Sequence, residues 1–138
     1  MSLPSHSTPL PHIRFETSAF WTGGERGALL IYHCADCKHF HHPPLPICPE
    51  CQSDKVAPRQ VSGRGKVVSF TINHHPWRPD MTKPFVIAYV AIEEQANIWI
   101  LSNIINMPPS SVSIDMEVRV IFFQREDVWF PLFEPIVL

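Results

Sequence analysis

Cys34-Ala35-Asp36-Cys37 and, after ten intervening residues, Cys48-Pro49-Glu50-Cys51 are the stretches on which the reading of this chain turns. A CxxC turn places two thiolates on one side of a tight knuckle, and two such knuckles supply the four corners of a tetrahedral zinc site. The chain has 4 cysteines in all. Four thiolates leave no position for water or substrate, which makes the ion structural. Two other uses compete. A pair of disulfides is opposed by a reducing cytosol, and a thioredoxin-like redox CxxC needs a single pair near a βαβ pattern. His33, His39, His41 and His42 crowd the same segment; with four thiolates at hand they read as solvated loop histidines rather than ligands. After each knuckle the turn favours a left-handed residue, usually glycine, yet Lys38 and Gln52 stand there.

Working outward, Ala28 to His33 is a short apolar run ending directly in Cys34, which reads as a strand feeding the first knuckle. Pro43, Pro44 and Pro46 make an extended return to the second. Residues 28–58 therefore form a zinc ribbon, too small to fold on apolar burial and held by its metal. Upstream, Thr17 to Arg26 suits a short helix with Thr17 or Ser18 as N-cap and Gly27 as its stop. Gly23 and Gly24 each cost that helix about 1 kcal/mol, so Phe20 and Trp21 must dock on something to hold it. Met1 to Ile13, with prolines and histidines among serines, has no periodic pattern and reads as a mobile or draped arm. Residues 1–27 are thus arm and helix.

Past Pro58 the grammar changes. Val68, Phe70 and Ile72 alternate with polar residues, as in a strand buried on one face, and Gly63 and Gly65 ahead of them allow a bulge. Four further runs rich in β-branched and aromatic residues follow at Phe85–Ile92, Ile98–Ile105, Val118–Phe123 and Val128–Phe133, separated by turn signals. Five short strands without a convincing helix make residues 59–138 a small barrel, with the five-stranded OB-fold as the expected solution and an SH3-like barrel as the competitor. The whole chain is mostly β. Phe70, Trp99, Phe122, Phe123, Trp129, Phe130 and Phe133 could stack bases on such a barrel; most are expected to fill its interior or its seam with the ribbon, leaving only the outward ones as candidates. The apolar end, Trp129 to Leu138, either completes the barrel or docks on a partner.

Composition narrows the functions. With 138 residues, 45% hydrophobic and 17% charged, the chain is one ordinary domain or two very small ones. Its 15 prolines, about twice the average usage, argue against long helices. Lys plus Arg number 11 against 13 Asp plus Glu, a net charge of −2 that disfavours bulk nucleic-acid binding. No run of about 18 apolar residues is present, and the start lacks the basic end and apolar core of a signal peptide, so a cytoplasmic protein away from membranes is expected. No serine occupies a G-x-S-x-G elbow, the cysteines are committed to metal, and His74 and His75 have no adjacent carboxylate. No catalytic residue is assigned.

The aromatic helix, the two knuckles, the proline-rich arm and then Val61-Ser62-Gly63-Arg64-Gly65-Lys66-Val67-Val68-Ser69-Phe70-Thr71 together resemble the zinc-ribbon OB-fold family associated with acyl-CoA metabolism. The resemblance runs over about residues 15 to 135. It implies a helical lead, a rubredoxin-like ribbon and an OB barrel in one subunit, acting as partner of a thiolase-like or MaoC-like hydratase enzyme. Some members of that family pair with a lipid-transfer-type thiolase as an aldolase that shortens a steroid side chain. The implied role is an acyl-CoA-binding accessory or scaffold subunit in fatty-acid, polyketide or steroid metabolism, co-catalytic at most and not an enzyme alone. A single-stranded nucleic-acid module is the alternative, since ribbons and OB-folds both serve that purpose.

Coenzyme A offers phosphates, a nucleotide and a pantetheine arm, so a site needs a few cationic donors and an aromatic or apolar channel. Arg59, Arg64, Lys66, His74, His75, Trp77, Arg78 and Lys83 collect on the first barrel strand and the loop after it. Arg64, Lys66, His75, Trp77, Arg78 and Lys83 are the ligand-binding candidates, with Arg78 or Lys83 meeting phosphate and Trp77 stacking on adenine or lining the acyl path. The competing expectation is a rigid loop whose tryptophan anchors the barrel or a partner.

Overall fold

A computed structural model describes residues 8–136. Ser18–Thr22 form helix α1, continued by a single 3-10 turn over Gly23–Arg26. Gly27, at φ 67°, ends it in the left-handed conformation. Thr17 stands at the N-cap position but makes no capping bond; its hydroxyl accepts the Arg14 N–H at 2.9 Å instead. Gly24 explains why the helix tolerates poor helix formers. A Cβ there would overlap the Phe122 ring and the Trp129 Cβ, so only glycine lets this turn press onto the barrel. Trp21 meets Phe130 edge-on at 5.9 Å in the same seam.

Strands β1 (Leu29–Cys34), β2 (Phe40–His41) and β3 (Val56–Val61) build an antiparallel sheet in the order β2-β1-β3. The third strand was not expected, because Pro58 interrupts it. β3 pairs only with β1, Pro58 lying opposite Tyr32, and a proline is tolerated where the far edge is free. The turn Ser62–Gly63, with Gly63 at φ 83°, then leads into the barrel. Its strands are β4 (Arg64–Asn73), β5 (Phe85–Ile92), β6 (Trp99–Ile104), β7 (Glu117–Arg125) and β8 (Val128–Pro135). They close in the order β4-β5-β6-β8-β7, the Greek-key arrangement of an OB barrel.

A parity change in β4 shows how sequence sets this packing. Gly65 and Val67 face inward, whereas further along the even positions Phe70 and Ile72 pack on the core. Strand alternation has a period of two, so the switch requires one extra residue. The register shift between Val67 and Ser69 supplies it, with Val68 as the bulged position. Val67, Val86, Val90, Ile100, Ile104, Val118 and Phe133 fill the barrel, each below 2% exposed. Phe20, Leu29, Ile31 and Val61 join them in one continuous core, so helix, ribbon sheet and barrel share an interior.

The aromatic residues divide as expected between interior and seam. Phe133 is buried, Phe70 and Phe122 pack on the core, and Trp129 and Phe130 face the helix, while Trp99 is 47% exposed on the outer face. Residues 129–135 complete the barrel as β8. Part of the N-terminal arm, residues 1–7, and the last two residues lie outside the described residues. Among the described residues no helix is long and apolar enough to cross a membrane.

Two of the four histidines correct the expectation that all are solvated. Pairing of β2 with β1 places His41 opposite Tyr32, which leaves it 4% exposed with Nε2 3.2 Å from the Leu45 carbonyl oxygen. His42 is half-buried with its ring 4.9 Å from that of Phe20. His39 is exposed, and His33 packs against Phe40 at 4.7 Å.

Candidate functional site

The two knuckles repeat one pattern of hydrogen bonds. Lys38 N–H donates to Cys34 O and Gln52 N–H to Cys48 O, both at 2.9 Å, while Cys34 N–H and Cys48 N–H donate to His39 O and Ser53 O. Lys38 and Gln52 adopt φ of 67° and 62°, so the left-handed turn is made without glycine. The ribbon accepts that local strain because each knuckle is otherwise over-determined. All four sulfurs lie within 4.8 Å of one another, with Cys34–Cys51 and Cys37–Cys48 both at 3.6 Å. A tetrahedral zinc ion with bonds of about 2.3 Å separates its sulfurs by about 3.8 Å. The four thiols thus fit a closed structural zinc site, and the backbone prepares it: N–H groups of Cys37 and Asp36 hold the Cys34 thiol down at about 6. Cys37 is pushed up to about 12, since the His39 amide that favours its thiolate is outweighed by burial and by the neighbouring sulfurs. A dication removes that mutual repulsion.

His41 and His42 both bury Nδ1 without a protein partner. Burial, and secondarily the neighbouring His41, lower the His42 pKa from 6.5 to about 4. Above pH 6.5 both folded and unfolded chains carry this ring neutral, and its full contribution to stability is present. As pH falls from 6.5 to 4 the unfolded chain takes up a proton that the folded one refuses, removing about 3 kcal/mol by linkage. We expect wild-type stability to fall across that window relative to His42→Phe, measured by denaturant titration at pH 7.5, 5.5 and 4.5. Acid release of metal is common to both proteins, so the difference isolates the ring; parallel curves would refute the assignment.

The ligand-binding candidates fall into two groups. Arg64 and Lys66 line a cleft of about 350 Å³ at the start of β4, shared with Glu93 and Glu117. His75, Trp77, Arg78 and Lys83 lie on the loop after β4, about 23 Å further along at the usual strand rise. Within that loop His75 and Trp77 pack ring to ring at 4.3 Å, and the Trp77 Nε1–H donates to Asn73 Oδ1 at 2.8 Å. Arg78 is held by Asp80 through two contacts of 3.0 and 3.3 Å. His74 and Lys83 border a separate cleft of about 360 Å³ with Ile72 and Pro109. Arg59 is exposed on β3 opposite Ile31.

On the outer face of the barrel, sequence reasoning named Trp77 and Trp99 but passed over Tyr89 and Leu101. Leu101 lines three adjoining depressions: one with Phe70 and Tyr89, one with Trp77 and Phe85, and one with Trp99 and Pro43 of the ribbon. Strict alternation along β6 carried the signal. Ile100, Ser102 and Ile104 point inward, so Trp99 and Leu101 must point out.

A four-thiolate ribbon sharing its core with a five-stranded OB barrel defines a zinc-ribbon OB-fold protein. Residues 21–57 match the family model "ChsH2, rubredoxin-like zinc ribbon domain" and residues 58–123 the model "ChsH2, C-terminal OB-fold domain". The solved "Ltp2-ChsH2(DUF35) aldolase" superposes with a TM-score of 0.81 at 32% identity, over 93% of this chain and 100% of that one. A "DUF35 domain-containing scaffold protein" of Pyrococcus furiosus is 30% identical over 107 residues, 77% of each chain. The "Probable enoyl-CoA hydratase alpha subunit" of Thermomonospora curvata is 30% identical over 135 residues, 97% of this chain but 42% of that protein. This chain therefore spans less than half the length of that hydratase subunit. It belongs to the ChsH2-type DUF35 family.

Proposed function

We propose that this chain is a cytoplasmic accessory or scaffold subunit for a thiolase-like or MaoC-like hydratase or aldolase enzyme acting on acyl-CoA. It contributes a binding surface and no turnover of its own. The full-length superposition on the DUF35 chain of the Ltp2-ChsH2(DUF35) aldolase carries the reading. The scaffold and alpha-subunit descriptions of its relatives support it. A closed four-sulfur centre fits the same role, since structural zinc with no open position activates no water. The nucleic-acid alternative meets an obstacle on the outer sheet face: no Lys, Arg, Asp or Glu lines its three depressions, whereas a single-strand groove tracks phosphates with cations.

For acyl-CoA itself the loop group is the stronger candidate. It sets Lys83 and Arg78, the latter paired with the single carboxylate of Asp80, on one loop at the barrel's edge, while the cations of the Arg64–Lys66 cleft share it with two carboxylates. Calorimetric titration of the zinc-loaded chain with CoA, a short and a bulky acyl-CoA and a single-stranded oligonucleotide, at two salt concentrations, tests the assignment. Saturable binding of acyl-CoA in preference to the oligonucleotide is expected, weakened about tenfold by Arg78→Ala, the loss of one charge-assisted contact. Unchanged affinity in that variant would remove the phosphate role. Tight, steeply salt-dependent oligonucleotide binding would overturn the scaffold reading.

A further inference from the structure

We propose that the uncharged outer face of the barrel, formed by Tyr89 on β5, Trp99 and Leu101 on β6 and Trp77 of the β4–β5 loop, is where the catalytic subunit docks. The inference rests on the scaffold reading above and adds the surface that reading lacks.

Four observations converge on this face. Leu101 is 60% exposed, Trp77 71%, Trp99 47% and Tyr89 41%, although all four are large and apolar. By the usual size of such side chains they leave about 500 Å² open. That is more than half of the roughly 800 Å² that one partner contributes to a standard protein interface. A contiguous patch of about this size is at the upper end of what a monomer usually exposes, and the largest such patch on a protein is often functional.

Position is the second argument. Three of the four side chains stand on rigid strands, and the face continues onto Pro43 and His42 of the ribbon. Phe15 and Ile114, also exposed, stand on turns and line none of the three depressions. Chemistry is the third. Aromatic residues are enriched and charges depleted at the centres of protein interfaces, and no charged residue lines the three depressions. Shape is the fourth: the depressions open broadly to solvent, whereas a small ligand is enclosed over most of its surface. Size, broad opening and lack of charge together select a folded protein over an acyl chain or a nucleic acid, and on the scaffold reading that protein is the catalytic subunit.

The test co-expresses the full chain in turn with each thiolase-like and each MaoC-like subunit of its source genome. Complexes are sized by light scattering and their Kd measured by calorimetry. Leu101→Arg and the double variant Tyr89→Ala, Trp99→Ala act on exposed positions, and Ile114→Arg serves as the control for an added arginine elsewhere. Zinc content and thermal midpoint report that each variant is folded. The expected result is a stoichiometric complex of the wild type, at least about thirtyfold weaker in both face variants and unchanged in Ile114→Arg, as for a central aromatic anchor. Full-strength binding by the folded face variants would overturn the surface assignment and leave the scaffold reading standing. Absence of any wild-type complex would remove the scaffold reading and this inference with it. A wild-type homodimer that Leu101→Arg splits would give the face to a second copy and overturn the proposal.

Discussion

Removing the metal, or replacing Cys48 by serine, is expected to collapse the segment between the knuckles while leaving most of the β signal in place. Around the four cysteines the described residues have little apolar interior: Cys34 and Cys48 are buried, but Ala35, Asp36, Pro49 and Glu50 are exposed. Their order comes from knuckle hydrogen bonds, which have no reason to persist once the sulfurs stop converging. In zinc-finger peptides the ion contributes about 10–16 kcal/mol, far more than this segment gains by burial. At the other end of the ribbon sheet, Leu29, Ile31 and Val61 belong to the barrel's core and should stay. Chelation followed by hydrogen exchange should show residues 34–55 losing protection and residues 64–135 keeping it. The same experiment tests the division of the chain into a ribbon over 28–58 and a barrel over 59–138. A single transition that takes both would make them one cooperative unit.

Phe133→Ala should bring the barrel close to unfolding. Phe133 is 1% exposed and lies where the barrel shuts. It pairs with Val120 on β7, makes the one β6–β8 pair among the described residues, with Ile104, and its carbonyl oxygen accepts the Ile105 N–H at 2.8 Å. Deleting a buried phenyl ring costs about 3–5 kcal/mol through lost transfer energy and the cavity left behind. A domain of this kind has only about 5–15 kcal/mol in total. The expected readout is a lower denaturant midpoint with an unchanged slope. A loss below about 1 kcal/mol would mean that the seam is closed by other contacts.

Much of this architecture was legible in the residues, and the failures have local causes. Spacing alone located the metal ligands, because the constraint lies in four residues of one type at fixed separations. The barrel strands were visible where apolar residues alternate or run together. β3 was hidden because its pairing is decided by an open edge that makes Pro58 harmless, which no local pattern reveals. His41 and His42 looked solvated for a similar reason: what buries them is a β1 partner and the Phe20 ring, both contributed by residues earlier in the chain. Arg64 and Lys66 stand at the start of β4 and the other ligand-binding candidates on the loop after it, as their order in the chain implied; the ten-residue strand lies between the two groups. The outer face was readable in principle from Trp99 and Leu101, once β6 is phased by its inward isoleucines.

One side chain ties the two halves of the molecule together. From the β5–β6 turn, Gln95 accepts the Phe40 N–H through Oε1 at 2.8 Å and donates Nε2–H to the Phe40 carbonyl oxygen at 3.1 Å. The amide thereby acts as a one-residue strand beside β2, on the far side of a gap of 55 residues in sequence. Pinned at that point, the ribbon is held in one orientation against the barrel, which suits the proposed docking of a partner across both halves. For that proposed assembly, part of the orientational entropy that a jointed adaptor loses on binding is surrendered here already during folding.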